Sequence, residues 1–245
     1  MKLLPNLIAV AEIEQEATRL LKQFRIPDTS FGFVEITDAS WRRLFDRALD
    51  EIHYAGSCQR VGRCMRLAII ENGDWVGGIV LGSTFPNIRV RDKALGLRQY
   101  IEDWKERGLK SPWARENTAY WSALQKIINH ARTFIFPRFQ GAGRGKLAHK
   151  LLLTEGVALW KSKYQDEVIG LDTLCTHADS RLFKDNDWIL VGRTEGYTSD
   201  PSRVFSKRAF REDWKTIKNN IALGRIDGAT RWFVWVKPMV AIDTA

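Results

Sequence analysis

The stretch from Thr133 to Tyr164, TFIFPRFQGAGRGKLAHKLLLTEGVALWKSKY, decides how this chain folds. Thr133 to Phe136 is a β-branched and aromatic run and predicts a strand. Leu147 to Tyr164 predicts a helix that keeps Lys150 and Thr154 near Lys146 on one side and fills most other positions with Leu, Val, Ala and Trp, as a helix packed on a sheet does. Between them lies Gln140-Gly-Ala-Gly-Arg-Gly-Lys146. Glycines there let backbone N–H groups approach a ligand, and the start of the following helix favours negative charge. The segment therefore reads as a cradle for a pyrophosphate. It is not the GxxxxGK[ST] loop, because Leu147 stands where Ser or Thr is required, and the even spacing of Gly141, Gly143 and Gly145 is not GxGxxG.

Working outward, Glu14 to Phe24 predicts a helix that ends before Pro27, and Phe31 to Ile36 a short strand. Asp38 reads as the N-cap of a helix carrying Trp41, Leu44, Phe45, Ala48, Leu49 and Ile52 at helical spacing and stopped near Gly56. Met65 to Glu71 and Trp75 to Leu81 form a hairpin around Asn72-Gly73-Asp74. A basic connection follows, with Arg89, Arg91, Lys93 and Arg98. Ala119 to Ala131 predicts a helix with a buried stripe of Trp121, Leu124, Ile128 and Ala131. Beyond the decisive stretch, Val168 to Leu174 predicts a strand, Arg181 to Asn186 a short helix and Trp188 to Arg193 a strand. A basic helix from Phe210 to Ala222 and a strand from Trp232 to Val236 close the chain. The order gives an α/β fold with a mixed sheet.

Gln140, Gly143 and Gly145 resemble the Q/R-x-x-G-x-G/A signature of the GNAT (N-acetyltransferase) superfamily. That resemblance implies a GNAT-like mixed central sheet flanked by helices, and a donor site for acyl-CoA (acetyl-CoA) or a similar donor. The residues implied are Arg138, Gln140, Gly141, Gly143, Arg144, Gly145 and Lys146. The chain then divides into an N-terminal helical arm (1–30), a GNAT-like core (31–199) and a basic C-terminal extension packed on the core (200–245).

The whole chain has 245 residues, 44% of them apolar, enough for one sizeable core. No uninterrupted apolar run reaches membrane-spanning length, and Pro5, Asn6 and the acids from Glu12 onward argue against a leader peptide, so a cytoplasmic location is expected. Cys58, Cys64 and Cys175 lack CxxC spacing and leave one over, which points to reduced thiols, and no zinc pattern is present. The formal charge is +9. A field of that sign attracts polyanions, and nucleic acid is the first candidate. Between Ala131 and Lys163 stand Arg132, Arg138, Arg144, Lys146, Lys150, Lys161 and Lys163 against the single acid Glu155. A second basic group comprises Arg203, Lys207, Arg208, Arg211, Lys215 and Lys218. Coenzyme A does not need so many cations. Arg89, Arg91, Lys93, Arg208, Arg211 and Lys215 are therefore the candidate contacts to DNA.

His53 and Tyr54 fall where a helix gives way to a loop, a position from which side chains reach a cleft. Histidine suits general base work because its unperturbed pKa lies near neutrality, although a helix end also favours histidine through the dipole. His53-Tyr-Ala-Gly56, the hairpin with Gly77-Gly78, a strand ending in Asp172 and the run Trp188 to Thr194 together look like Mom-type phage DNA-modification proteins, and even more like DruA-type proteins of Druantia anti-phage systems. The likeness spans Ile36 to Gly196. It maps onto His53, Tyr54, Arg132 and Asp172, and implies His53 or Asp172 as base, Tyr54 as donor and Arg132 as an anion or orienting contact. Asp172 also has a plain structural role available, capping Thr173 or pairing with an arginine.

Three functions follow as expectations: a phage- or mobile-element-encoded transferase that acylates a base amine in DNA, a non-catalytic DNA-binding component of a defence or mobile-element system, and an N-acetyltransferase for a small molecule or protein. The last fits the basic surface least, since cationic substrates are repelled.

Overall fold

The computed structural model describes residues 7–24, 30–53, 56–57, 62–112, 114–175, 180–194 and 232–239. Helix α1 (Leu7–Phe24) starts earlier than its sequence suggests, because Val10 and Ile13 continue the buried stripe of Ala17, Leu20 and Leu21. After β1 (Gly32–Glu35), the carboxylate of Asp38 accepts from the N–H groups of Ser40 at 2.8 Å and Trp41 at 2.9 Å and caps α2 (Ala39–Ile52). Strands β2 (Cys64–Glu71) and β3 (Asp74–Ser83) join through Asn72 and Gly73, both at positive φ, as the Asn-Gly pair requires.

Helices α3 (Arg89–Ala94), α4 (Gln99–Glu102) and α5 (Thr118–Gln125) precede β4 (Ile127–Ile135). The helix expected from Ala119 to Ala131 is thus cut short at Gln125. Ile127 and Ile128 are β-branched and pair into the sheet, so the apolar stripe read as one helix is shared between a helix and a strand. A 3₁₀ turn (Pro137–Phe139) leads to α6 (Arg144–Leu151), which runs through a π-helical turn (Leu152–Gly156) into α7 (Val157–Tyr164). Then come β5 (Gly170–Cys175), α8 (Arg181–Lys184), β6 (Ile189–Arg193) and β7 (Phe233–Pro238). The basic helix expected from Phe210 to Ala222 lies outside the described residues.

Among the described residues seven strands form one mixed sheet in the order β1-β2-β3-β4-β5-β7-β6. Only β4 and β5 run parallel; every other neighbouring pair is antiparallel. Strand β7, from beyond residue 200, sits between β5 and β6, so part of the C-terminal extension belongs to the sheet itself. Helices α1 and α2 cover Ala68, Ile70, Val80 and Phe134 on one face, and Tyr120, Ala123 and Leu124 of α5 cover Ile127, Val234 and Val236. On the opposite face, α6 through α7 and the aromatics Phe183 and Trp188 cover Leu67, Ile79, Ile128, Leu171 and Trp235. The result is the α/β architecture expected, a mixed sheet flanked by helices. Among the described residues no helix is long and apolar enough to cross a membrane.

Two irregularities prepare the site. Strands β4 and β5 pair only over Ile127↔Gly170, Ile128↔Leu171 and Asn129↔Asp172, then diverge, leaving a wedge that opens toward their C-terminal ends. Against β3, Val80 faces Arg132 but Leu81 faces His130, so Ala131 is an extra residue bulging from β4 at the start of that wedge.

Candidate functional site

The glycine loop stands at the mouth of the wedge. Gln140 Nε2 donates to the carbonyl of Ile135 at 3.0 Å and ties the loop to the end of β4. Gly141 and Gly143 hold φ of 94° and 72°, and a methyl group on either would meet nothing within 4 Å. Their requirement is conformational, and an L residue there costs roughly 1–2 kcal/mol. Gly143 caps α6, whose first-turn N–H groups have no acceptor within the helix. The cations expected to meet an anion are each engaged by a carboxylate: Arg138 with Glu14 at 3.3 Å, Arg144 with Glu71 at 2.6 Å, and Lys146 with Asp185 at 3.2 Å. The groups at the start of α6 not engaged by a carboxylate are therefore its first-turn backbone N–H groups. The Lys146–Asp185 pair is solvent-exposed and weak, whereas Arg138, itself exposed, reaches a largely buried Glu14.

Inside the wedge, on the α6 face, lies a polar chain that the sequence does not announce. His130 Nε2 is 2.6 Å from Thr133 Oγ1, which is 3.2 Å from His149 Nε2, and His130 Nδ1 is 3.5 Å from Thr173 Oγ1. The two imidazoles meet edge to face at 4.5 Å, walled by Phe183 and Trp188. His149 is wholly buried, and its Nδ1 has no hydrogen-bond partner among the described residues. Burial lowers its pKa from 6.5 to about 3. The folded protein thus refuses a proton that the unfolded chain accepts below about pH 6.5. Stability is full above that pH and falls as pH drops toward 3. Between pH 7 and pH 5 we expect urea denaturation to show a loss of ~2 kcal/mol from this one group, which His149→Gln removes. Equal pH slopes for the two proteins would contradict it.

On the other face, α2 ends at His53, whose N–H donates to Leu49 and whose carbonyl accepts from Gly56. Arg132 reaches back to the carbonyl of Gly56 at 3.3 Å. The structure therefore brings His53 and Arg132 together at the bulge of β4. Burial, and then the Arg132 charge, lower the His53 pKa to about 3, so its imidazole is neutral at physiological pH. Tyr54 lies outside the described residues.

Asp172 does not join them. Its carboxylate is fully buried, accepts from Thr84 Oγ1, from Arg91 Nη1 at 2.7 Å and from Asn129 Nδ2 at 2.7 Å, and is closed to a substrate. The base role expected for Asp172 is corrected accordingly. Arg91 is corrected too. It is fully buried, pairs with Asp92 and Asp172 and donates to the carbonyl of Phe85, so it offers nothing to DNA. Burial opposes its charge, but the two carboxylates outweigh that and raise its pKa. Burial raises the pKa of Asp92 against the pull of Arg91, and burial with the Asp92 charge pushes Tyr120 up to about 12. This network pins α3 to β5.

Arg89 and Lys93, on the outer side of α3, remain as expected surface cations. With Arg98, Ile101, Glu102 and Pro112 they line an open groove of about 300 Å³. Arg208, Arg211 and Lys215 lie outside the described residues. No group of three or more His, Cys, Asp or Glu side chains suited to a metal occurs among the described residues.

No protein-family model and no curated protein matches the sequence, so the likeness to Mom-type and DruA-type proteins rests on the residues quoted above alone. Among solved structures, the chain is similar to an aminoglycoside acetyltransferase in complex with coenzyme A, at 10% identity and a TM-score of 0.44, covering 86% of this chain and 95% of that one. It is similar to the ribosomal-protein-S18-alanine N-acetyltransferase from Escherichia coli at 9% identity and a TM-score of 0.43, covering 88% and 98%. It is also similar to an N-acetyltransferase from Staphylococcus aureus Mu50 at 13% identity and a TM-score of 0.36, covering 72% and 68%. At such scores these likenesses add nothing to the fold, which stands on the strand order and registers of the sheet.

Proposed function

We propose that the protein is an acyltransferase that takes an acyl group from a coenzyme A thioester and delivers it to an amine of a nucleobase in DNA. The observation that carries the donor half is the left-handed glycine loop opening α6 at the mouth of the β4–β5 wedge. Backbone N–H groups hold the pyrophosphate there. The wedge then admits the pantetheine arm toward the bulge at Ala131, where β4 is free of β5.

Support for the acceptor half is electrostatic. The chain carries a formal charge of +9, and Arg89, Lys93 and Arg98 border an open groove with Ile101, Pro112 and Glu102, the last paired with Arg98, beside them. A phosphodiester backbone fits such a lining, and the target base must leave its stack to reach the site. An exocyclic base amine is neutral before it attacks, and its nitrogen becomes strongly acidic as the new bond forms. A neutral imidazole at His53 suffices to receive that proton even with a lowered pKa, and Arg132 beside it orients an anionic neighbour.

Mass spectrometry of nucleosides from cells expressing the protein is expected to reveal an acylated base. His53→Ala is expected to reduce it by about 100-fold, the usual scale for loss of a general base. DNA that stays unmodified in the native host would sink the proposal. One observation favours a second reading, a DNA-binding protein without the reaction: Asp172 is locked into a structural ion pair and the loop cations are paired with acids. That reading expects salt-sensitive DNA binding with no stabilisation by acetyl-CoA.

A further inference from the structure

We propose that the corner between β3 and α3 is a binding site for single-stranded DNA, where the ring of Phe85 stacks on an unpaired base while Arg89 and Lys93 meet the phosphates. The inference rests on the acceptor half of the proposal above and narrows it from DNA in general to an unpaired stretch. Its ground is an aromatic ring held out to solvent on a rigid support. Among the described residues Phe85 is the only aromatic side chain that lies exposed, at 49%.

The support is the buried network around Arg91. Thr84 Oγ1 donates to Asp172 just before Phe85, and Arg91 Nη2 donates to the carbonyl of Phe85 itself at 2.9 Å. Just after it, the N–H of Asn87 donates to the Tyr120 hydroxyl at 3.2 Å, and that hydroxyl donates to Asp92 at 3.1 Å. The chain is tethered before, at and after the ring. A loop fixed in this way has little freedom left to lose when a base stacks on it, which favours binding.

The same clamp sets the cations. Arg91 and Asp92 turn inward and are fully buried, while Arg89 and Lys93 are exposed and line the open groove. They stand one helical turn apart, about 6 Å at helix rise. Arg89 follows Phe85 by four residues, at most about 14 Å of chain. Arg98 is paired with Glu102, whose carboxylate repels phosphate. The phosphate path therefore runs along α3, with Ile101 and Pro112 as an apolar floor beside it. Cations next to an aromatic face suit an unpaired strand, because a duplex keeps its base faces inside the stack.

The corner is also tied to the part of the sheet that carries His53 and Arg132. The chain that leaves His53 returns to the sheet at Arg63, whose N–H donates to Ser83 Oγ at 3.0 Å and whose carbonyl accepts from the Ser83 N–H at 2.9 Å. Phe85 comes two residues after Ser83. Val80, which faces Arg132 across the β3–β4 pair, comes five residues before Phe85, about 17 Å at strand rise. A strand anchored at Phe85 thus presents a base a few nucleotides away at His53 and Arg132, with no duplex to open first.

The test measures fluorescence anisotropy of a labelled mixed-sequence oligonucleotide with the full-length protein, as a single strand and as a duplex with its complement, at several salt concentrations. The single strand is expected to bind more tightly. Phe85→Leu should weaken single-strand binding by about 10-fold and leave duplex binding unchanged, and Phe85→Tyr, which keeps a ring, should retain the wild-type affinity. Arg89→Gln combined with Lys93→Gln should flatten the log–log salt slope of single-strand binding by about 1.4. A duplex bound as tightly as the single strand, a Phe85→Leu protein that binds like wild type, or an unchanged salt slope overturns this inference and leaves the acceptor half standing. If neither form of DNA binds, the acceptor half of the proposed function falls and this inference falls with it.

Discussion

Replacing Arg91 with alanine is expected to lower the unfolding free energy by about 3–5 kcal/mol, the scale for removing one partner of a buried ion pair. Asp92 and Asp172 would then face each other in the interior without that counter-charge, left to their hydrogen bonds with Thr84, Asn129 and Tyr120. The native pairing is tight: Arg91 Nη1 sits 2.7 Å from Asp172 and the guanidinium 2.6 Å from Asp92. Urea unfolding at pH 7 measures the loss. The same variant distinguishes an interior arginine from a nucleic-acid contact. If its stability is unchanged while DNA affinity drops, Arg91 faces solvent and the network described for it does not exist. An Asp172→Asn change should cost less, because the amide still accepts from Arg91 and Thr84.

The second large effect concerns Gly145, where fold and function are expected to move in opposite directions. Unlike Gly141 and Gly143, Gly145 has an ordinary helical φ, and a methyl group on it would come no closer than 3.8 Å to Leu182. Gly145→Ala should therefore stabilise the protein by about 0.4–1 kcal/mol through the unfolded chain. A bare backbone in the first turn of α6 has another use, close approach of a pyrophosphate. The same substitution should weaken acetyl-CoA binding by about 10-fold, a difference of ~1.4 kcal/mol. Calorimetric titration alongside thermal melts reads both. An alanine variant that binds the donor as well as the wild type would show that the ligand does not lie against that turn. Gly143→Ala is a useful contrast, since its φ of 72° makes the fold itself suffer.

How much of this was visible in the sequence depends on whether the signal was local. The Asn72-Gly73 hairpin, the Asp38 cap and the glycine loop were legible because each is set by the conformational needs of two or three adjacent residues. Strand β4 was misread at its start, because Ile127 and Ile128 fit a helical stripe until the sheet supplies partners. Arg91 was misread because charge in a connecting segment normally faces water, and it takes Asp172, 81 positions away, together with the neighbouring Asp92 to make its burial tolerable. The pair His130 and Thr133 was invisible for a geometric reason. Residues three apart on a regular strand point to opposite faces, and the extra residue Ala131 restores them to one side. No pattern in the sequence marks that bulge.

The π-helical turn from Leu152 to Gly156 acts on the same constellation as an angular setting. It lies just after His149 and before Trp160, which is anchored in the core against the sheet. A π-turn adds one residue to a helix without adding a full step of rotation, so it fixes the phase between the loop-bearing half and the sheet-anchored half. In a regular α-helix one extra residue would turn everything beyond it by about 100° about the axis. The π-turn absorbs that step, so Trp160 stays against the sheet while His149 stays turned toward Thr133. A single widened turn thus lets the two halves of one helix keep separate partners.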